Sequence, residues 1–182
     1  MKHRAAHFAL LAGLFALASL QFAALAAHRP PHRDETLKTN RPWIEGVDPV
    51  LENQLFDATY RVLPSHNVLK IYMEQTSGYE SGGIRFSARI AHRDRDLTLP
   101  ELDREAVSLI RTTFEQFPNV QALDVWATIP VPQARQAAVE NTVFSVSANR
   151  STYELIRAQK SLSDVDFLAA FGHVWASPAL AR

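Results

Sequence analysis

Tyr72, Arg85, Arg89 and Trp126 are the residues of this 182-residue chain whose types and spacing could act together. Each falls on the polar side of a segment in which apolar and polar residues alternate. Aromatic rings and guanidinium groups are enriched where a protein surface grips a partner. An arginine offers a planar fork of donors that matches a carboxylate or a phosphate. A phenol or indole offers an apolar face with one polar edge. Lys70, Ser145 and Ser147 fall on the same side. The chemistry such a set implies is recognition: of an envelope protein, or of an anionic envelope component such as a lipid headgroup or a glycan. The alternative is a face that is merely solvated or covered by the chain termini.

Other residues with chemical potential are weaker. Arg150 and Ser151 stand at a helix start, where backbone N–H groups and a guanidinium would together hold an anion. His28 and His32 flank Arg29-Pro30-Pro31, so they cannot share a helix face and have no third ligand nearby. In His92-Arg93-Asp94-Arg95-Asp96 the arginines oppose a cation, and the segment is expected to be a charged turn. Glu52 and Asp57 are five apart on a helix and do not face each other. His66 and His92 lie near strand ends, where a catalytic group would sit. No Gly-x-Ser-x-Gly, His-Glu-x-x-His or Ser-x-x-Lys pattern accompanies them. Ser77-Gly78-Tyr79-Glu80-Ser81-Gly82-Gly83 lacks the Gly-Lys-Ser/Thr ending of a phosphate loop and is expected to be a hairpin tip. The chain therefore shows no catalytic residue, metal site or cofactor motif.

The elements that must position these residues follow from periodicity. Leu123, Val125, Ala127 and Ile129 alternate with Asp124, Trp126 and Thr128, and Phe144, Val146 and Ala148 alternate with Ser145 and Ser147. Alternation places successive side chains on opposite faces of a strand. Pro130 and Pro132 are expected to stop the first of these strands, with an excursion over Val131–Asn141 that includes a helical turn near Ala134–Val139. Asn67–Gln75 and Ile84–Arg93 form a second hairpin. Its register must bring Leu69, Ile71 and Met73 beside Ile84, Phe86, Ala88 and Ile90, because a one-residue slip would bury the arginines. Lys70, Tyr72, Glu74, Arg85, Ser87 and Arg89 then share the other face.

Asp48-Pro49 opens a helix with Leu51, Leu55, Ala58 and Val62 on one face. Thr98-Leu99-Pro100-Glu101 is a capping box before the strongest helix, Leu99–Phe117. There Glu101, Asp103 and Glu105 oppose the positive end of the helix dipole. Ser151 with Glu154 suggests a second capping box for a helix over Thr152–Gln159. Ser163-Asp164 caps a last short helix that Gly172 ends, and Trp175 docks the tail. The expected fold is α+β: one small domain over 47–182 with a mostly antiparallel four-stranded sheet, ββαββα-like. The helices pack on one face, and the N-terminal helix or the C-terminal segment covers part of the other.

Ahead of this domain, Met1–Ala26 has the basic start, apolar stretch and Ala24-Leu25-Ala26 site of a signal peptide, followed by a flexible lead-in over 27–46 anchored by Pro42-Trp43-Ile44. The apolar run is shorter than a membrane span needs, so cleavage near Ala26 is expected, with a retained membrane anchor as the alternative; no other segment is expected to cross a membrane. The destination is periplasmic or secreted. The chain has 19 basic and 19 acidic residues, which leaves no global basic field for nucleic acid. It has no cysteine, which excludes disulfides and thiol chemistry. The functional expectation is a non-catalytic binding or adaptor domain of the cell envelope. A small-ligand or lipid carrier, and a hydrolase without a recognisable motif, are the alternatives.

Overall fold

Local signals start and stop each helix. The computed structural model describes residues 48–182 other than 77–78, 91–92, 94, 134–135, 160 and 182. The export signal expected at Met1–Ala26, the lead-in with His28, His32 and Trp43, and His92 lie outside the described residues. Asp48 caps α1 (Pro49–Val62), its Oδ1 accepting from the backbone N–H of Val50 at 2.8 Å and of Leu51 at 3.1 Å. Thr98 precedes α2 (Leu99–Gln116), and its N–H and hydroxyl both donate to Glu101 Oε2 at 2.9 Å. Arg95 clamps the same carboxylate with two 2.8 Å hydrogen bonds. Asn149 caps the short α3 (Arg150–Ile156), and Ser163 caps α4 (Asp164–Ala169). The second capping box expected at Ser151 is thus replaced by an asparagine cap two residues earlier.

The strands are β1 (Val68–Thr76), β2 (Tyr79–Ser87), β3 (Arg89–Ile90), β4 (Arg95–Asp96), β5 (Val120–Gln133), β6 (Gln136–Asn149) and β7 (Val174–Ala176). Five of them form one mixed sheet in the order β1-β2-β5-β6-β7, and β3 pairs with β4 separately. The fold is a single mixed α/β domain, and the expectation of a mostly antiparallel four-stranded sheet is corrected in two respects. The pair β2–β5 is parallel, because α2 carries the chain back across the sheet before β5 begins. The tail adds β7 as a fifth, antiparallel strand beside β6 instead of covering a face.

The core lies on one side of this sheet. Ile71 and Met73 of β1, Ile84 and Phe86 of β2, Leu123 and Val125 of β5, and Phe144 and Val146 of β6 are all buried. They meet Leu55 and Ala58 of α1 and Leu102, Leu109, Ile110 and Phe114 of α2 in one cluster. The N-terminal helix therefore covers the apolar face: Leu55 reaches the backbone of Gly82, where an added Cβ would lie 3.4 Å from its Cδ2. The start of α1 also occupies the outer edge of β1. Asp48 N donates to Met73 O and Met73 N donates to Glu52 Oε1, each at 3.3 Å.

Two expected loops are strand instead. Most of the expected glycine-rich tip is strand: Tyr79–Gly83 belong to β2, in register with Thr76–Tyr72. In place of the excursion expected over Val131–Asn141, the described residues continue the β5–β6 ladder, with Pro130 opposite Glu140, Val131 opposite Val139 and Gln133 opposite Gln136. Thr128 O accepts from Ala88 N at 2.7 Å, so the backbone polar groups of Thr128 point toward β2. Pro130 and Pro132, two and four residues on, point the same way. The last β2 pairing is Ser87 with Thr128, so the prolines interrupt no ladder.

Candidate ligand-binding sheet face

Strand pairing assembles the site. Lys70 is opposite Arg85 in the β1–β2 ladder, and Arg85 is opposite Trp126 in the β2–β5 ladder. Trp126 is opposite Ser145, and Ser145 is opposite Trp175. These five residues form a single row running straight across all five strands, on the face away from the core. The next row runs Tyr72, Gly83, Asp124 and Ser147. Lys70 and Trp175 are exposed; Tyr72, Arg85, Trp126 and Ser145 are half-buried.

The second row supports the first. The Tyr72 ring lies across the β2 backbone at Gly83, where any Cβ would overlap its ring carbons. It packs against Trp126 with centroids 6.0 Å apart and planes inclined by 40°, and Lys70 Nζ stands 5.7 Å from its centre. Its hydroxyl donates to Asp124 Oδ2 at 3.2 Å, and Ser147 Oγ donates to Asp124 Oδ1 at 2.6 Å. Burial, the charge of Asp124 and this hydrogen bond hold the Tyr72 phenol well above its usual range, so it remains a donor at any working pH. Arg85 makes no ion pair among the described residues, and its Nε is shut off from solvent without a hydrogen-bond partner.

Of the four residues expected on this face, Tyr72, Arg85 and Trp126 come together and Arg89 does not. The chain bends at Ala88, whose backbone bonds to both Thr128 and Leu97. Arg89 enters the separate β3–β4 ladder, with its Nε 3.0 Å from Asp96 Oδ1. Trp175 is the member that sequence reasoning missed. A three-residue strand after Gly172 carries too short a pattern to reveal which strand it would join.

At the anion site expected at Arg150 and Ser151, both side chains are engaged by the protein itself. The Arg150 guanidinium turns toward the C-terminus of α2, donating to Val120 O at 2.7 Å, Phe114 O at 3.1 Å and Phe117 O at 2.7 Å. It also sits 4.9 Å over the Phe114 ring and pairs with Glu154. Ser151 Oγ donates to the capping Asn149 side chain at 2.7 Å. This arginine thus satisfies two carbonyls at the C-terminal end of α2 and one at the start of β5.

Candidate catalytic groups are placed differently. His66 is buried, with its ring edge against Phe86 and Nε2 3.8 Å from Glu105, beyond hydrogen-bond reach. Among the described residues no three His, Asp or Glu side chains converge as metal ligands, and no helix is long and apolar enough to cross a membrane. In comparisons with known proteins, the chain matches no family model, no curated protein and no solved structure.

Proposed function

We propose that this is a non-catalytic binding domain of the cell envelope, exported by the N-terminal segment, whose ligand surface is the open sheet face around Arg85 and Trp126. The observation that carries this reading is the cross-strand row itself. It combines two cations, two indoles and a hydroxyl in adjacent strand positions, with one guanidinium that the protein leaves unpaired among the described residues. A purely solvated face has no need to hold two indoles and a half-buried arginine in register, and buried donors without partners cost about 1–3 kcal/mol each. That cost is offset when a ligand supplies the acceptor.

The test is retention of envelope components by the full chain, immobilised beside Arg85→Gln and Trp126→Ala. The reading expects a component held by the wild type and lost by both variants. Equal retention by all three would return the face to plain surface.

A further inference from the structure

We infer that the row Lys70–Arg85–Trp126–Ser145–Trp175 takes an acidic polysaccharide, a chain of sugar rings bearing carboxylates, laid across the strands. The inference rests on the reading that this face is the ligand surface, and it assigns the occupant.

Charge comes first. The row contains Lys70 and Arg85 and no acid. The acid of the neighbouring row, Asp124, has one oxygen bonded to Ser147 and the other to Tyr72, and it makes no ion pair with Arg85. A carboxylate gripped side-on by Nε and one Nη would give Arg85 the acceptor it lacks, after a small turn of its flexible stem.

Shape comes second. Trp126 and Trp175 are two strands apart in one row, roughly 10 Å, and the whole row spans four strand spacings, roughly 19 Å. An indole face is electron-rich, and it packs against the C–H face of a sugar ring. Ser145, between the two indoles, offers a hydroxyl to ring hydroxyls. Trp175 is 49% exposed, which leaves a broad aromatic surface uncovered. The cationic end meets the acid groups, and the indole end meets the rings.

Composition comes third. No aliphatic side chain stands in the row, so an acyl chain finds nothing to insert beside. A protein partner would draw on the same indoles and guanidinium, and it is the outcome in which the glycans fail while an envelope component is still lost by the variants.

The experiment titrates the full chain, followed by tryptophan emission, with polygalacturonate, hyaluronate and alginate. Neutral dextran of similar length and anionic phospholipid vesicles serve as controls. At least one acidic glycan is expected to bind, with dextran ~tenfold or more weaker. Arg85→Gln should lose about tenfold, the effect of one charged hydrogen-bonded pair. Trp175→Ala should weaken the polymer several-fold while leaving galacturonate monomer unaffected. Should Arg85→Gln fail to fold, Lys70→Gln takes its place, and its loss of affinity must shrink at high salt.

Binding by none of the three acidic glycans overturns the inference. So does binding unchanged in Arg85→Gln, dextran bound as tightly, or vesicles bound in preference. If the glycans fail while Arg85→Gln and Trp126→Ala still lose an envelope component, the binding face stands and only the occupant is wrong.

Discussion

The Tyr72 ring lies flat across the backbone of Gly83 on the neighbouring strand, at a point where no Cβ can stand. One missing side chain on β2 thus makes room for an aromatic side chain from β1, and that ring in turn buttresses Trp126 and donates to Asp124. Gly83→Ala should therefore displace Tyr72 and cost about 1–3 kcal/mol, the usual range for overpacking. In a Tyr72→Ala background the same change should cost much less, because the clash is gone. Denaturant unfolding of the four-member cycle measures the coupling.

Arg150 joins the start of α3 to the end of α2 through two carbonyls and the Phe114 ring, and to the start of β5 through a third carbonyl. Arg150→Ala should destabilise by about 3 kcal/mol, since hydrogen bonds to charged groups are the stronger ones. Arg150→Lys should recover only part of this, because an ammonium cannot reproduce the planar fork. Thermal unfolding of both variants checks the order.

Two acids in the first turns of α2 make opposite contributions with pH. Burial, and then the charge of Asp164, raises the Asp103 carboxyl above its usual range. The folded state therefore holds that proton more tightly than the unfolded chain. Its contribution is fully present at low pH and is lost as pH rises through the folded value. Asp103→Asn should accordingly stabilise the protein at neutral pH, with the gain fading in acid. The Arg95 fork and the Thr98 N–H hold Glu101 far below the carboxylate range. That contribution is present at neutral pH and declines once pH falls below about 4.3, the unfolded glutamate value. Glu101→Gln should destabilise at pH 7 and matter progressively less toward pH 3. Stability curves at several pH values resolve the two signs.

Pro130 and Pro132 point their missing donors to the edge of β5 beyond β2. Replacing both with valine should leave monomer stability nearly unchanged and supply two N–H groups at the edge of the β5–β6 arm. Such edges template pairing with another chain. Sedimentation should show self-association of the double variant at concentrations where the wild type is monomeric.

The alternation in β5 and β6 was legible because each strand has one buried face, and the structure keeps that register from Leu123 opposite Ala148 to Ala127 opposite Phe144. The apolar face of α1 and the capping signals at Asp48, Thr98 and Ser163 were legible for the same local reason. Features that depend on residues far apart were not. Gly82 and Gly83 resembled loop residues because the partner that requires Gly83, Tyr72, is on another strand. The period-2 pattern runs unbroken from Ile84 to Ile90, so nothing local marks the bend at Ala88 that removes Arg89 from the face. Arg150 finds its carbonyls 30 to 36 residues away. The parallel β2–β5 pair depends on how a whole helix crosses the sheet, and no single segment encodes it. Of the site, Tyr72, Arg85 and Trp126 were visible as residue types on one face; the row that unites Arg85 and Trp126 with Trp175, beside the row that holds Tyr72, emerged only from the strand order.

The most direct test replaces Arg85, Trp126 and Trp175 together, as Gln, Ala and Ala, and measures stability and envelope retention on the same preparation. If the row is a ligand surface, the variant unfolds within about 1 kcal/mol of the wild type, as surface substitutions do, and retains none of the component that the wild type holds. Undiminished retention, or a large loss of stability, would contradict the account: the first would make the row idle surface, and the second would make it structural.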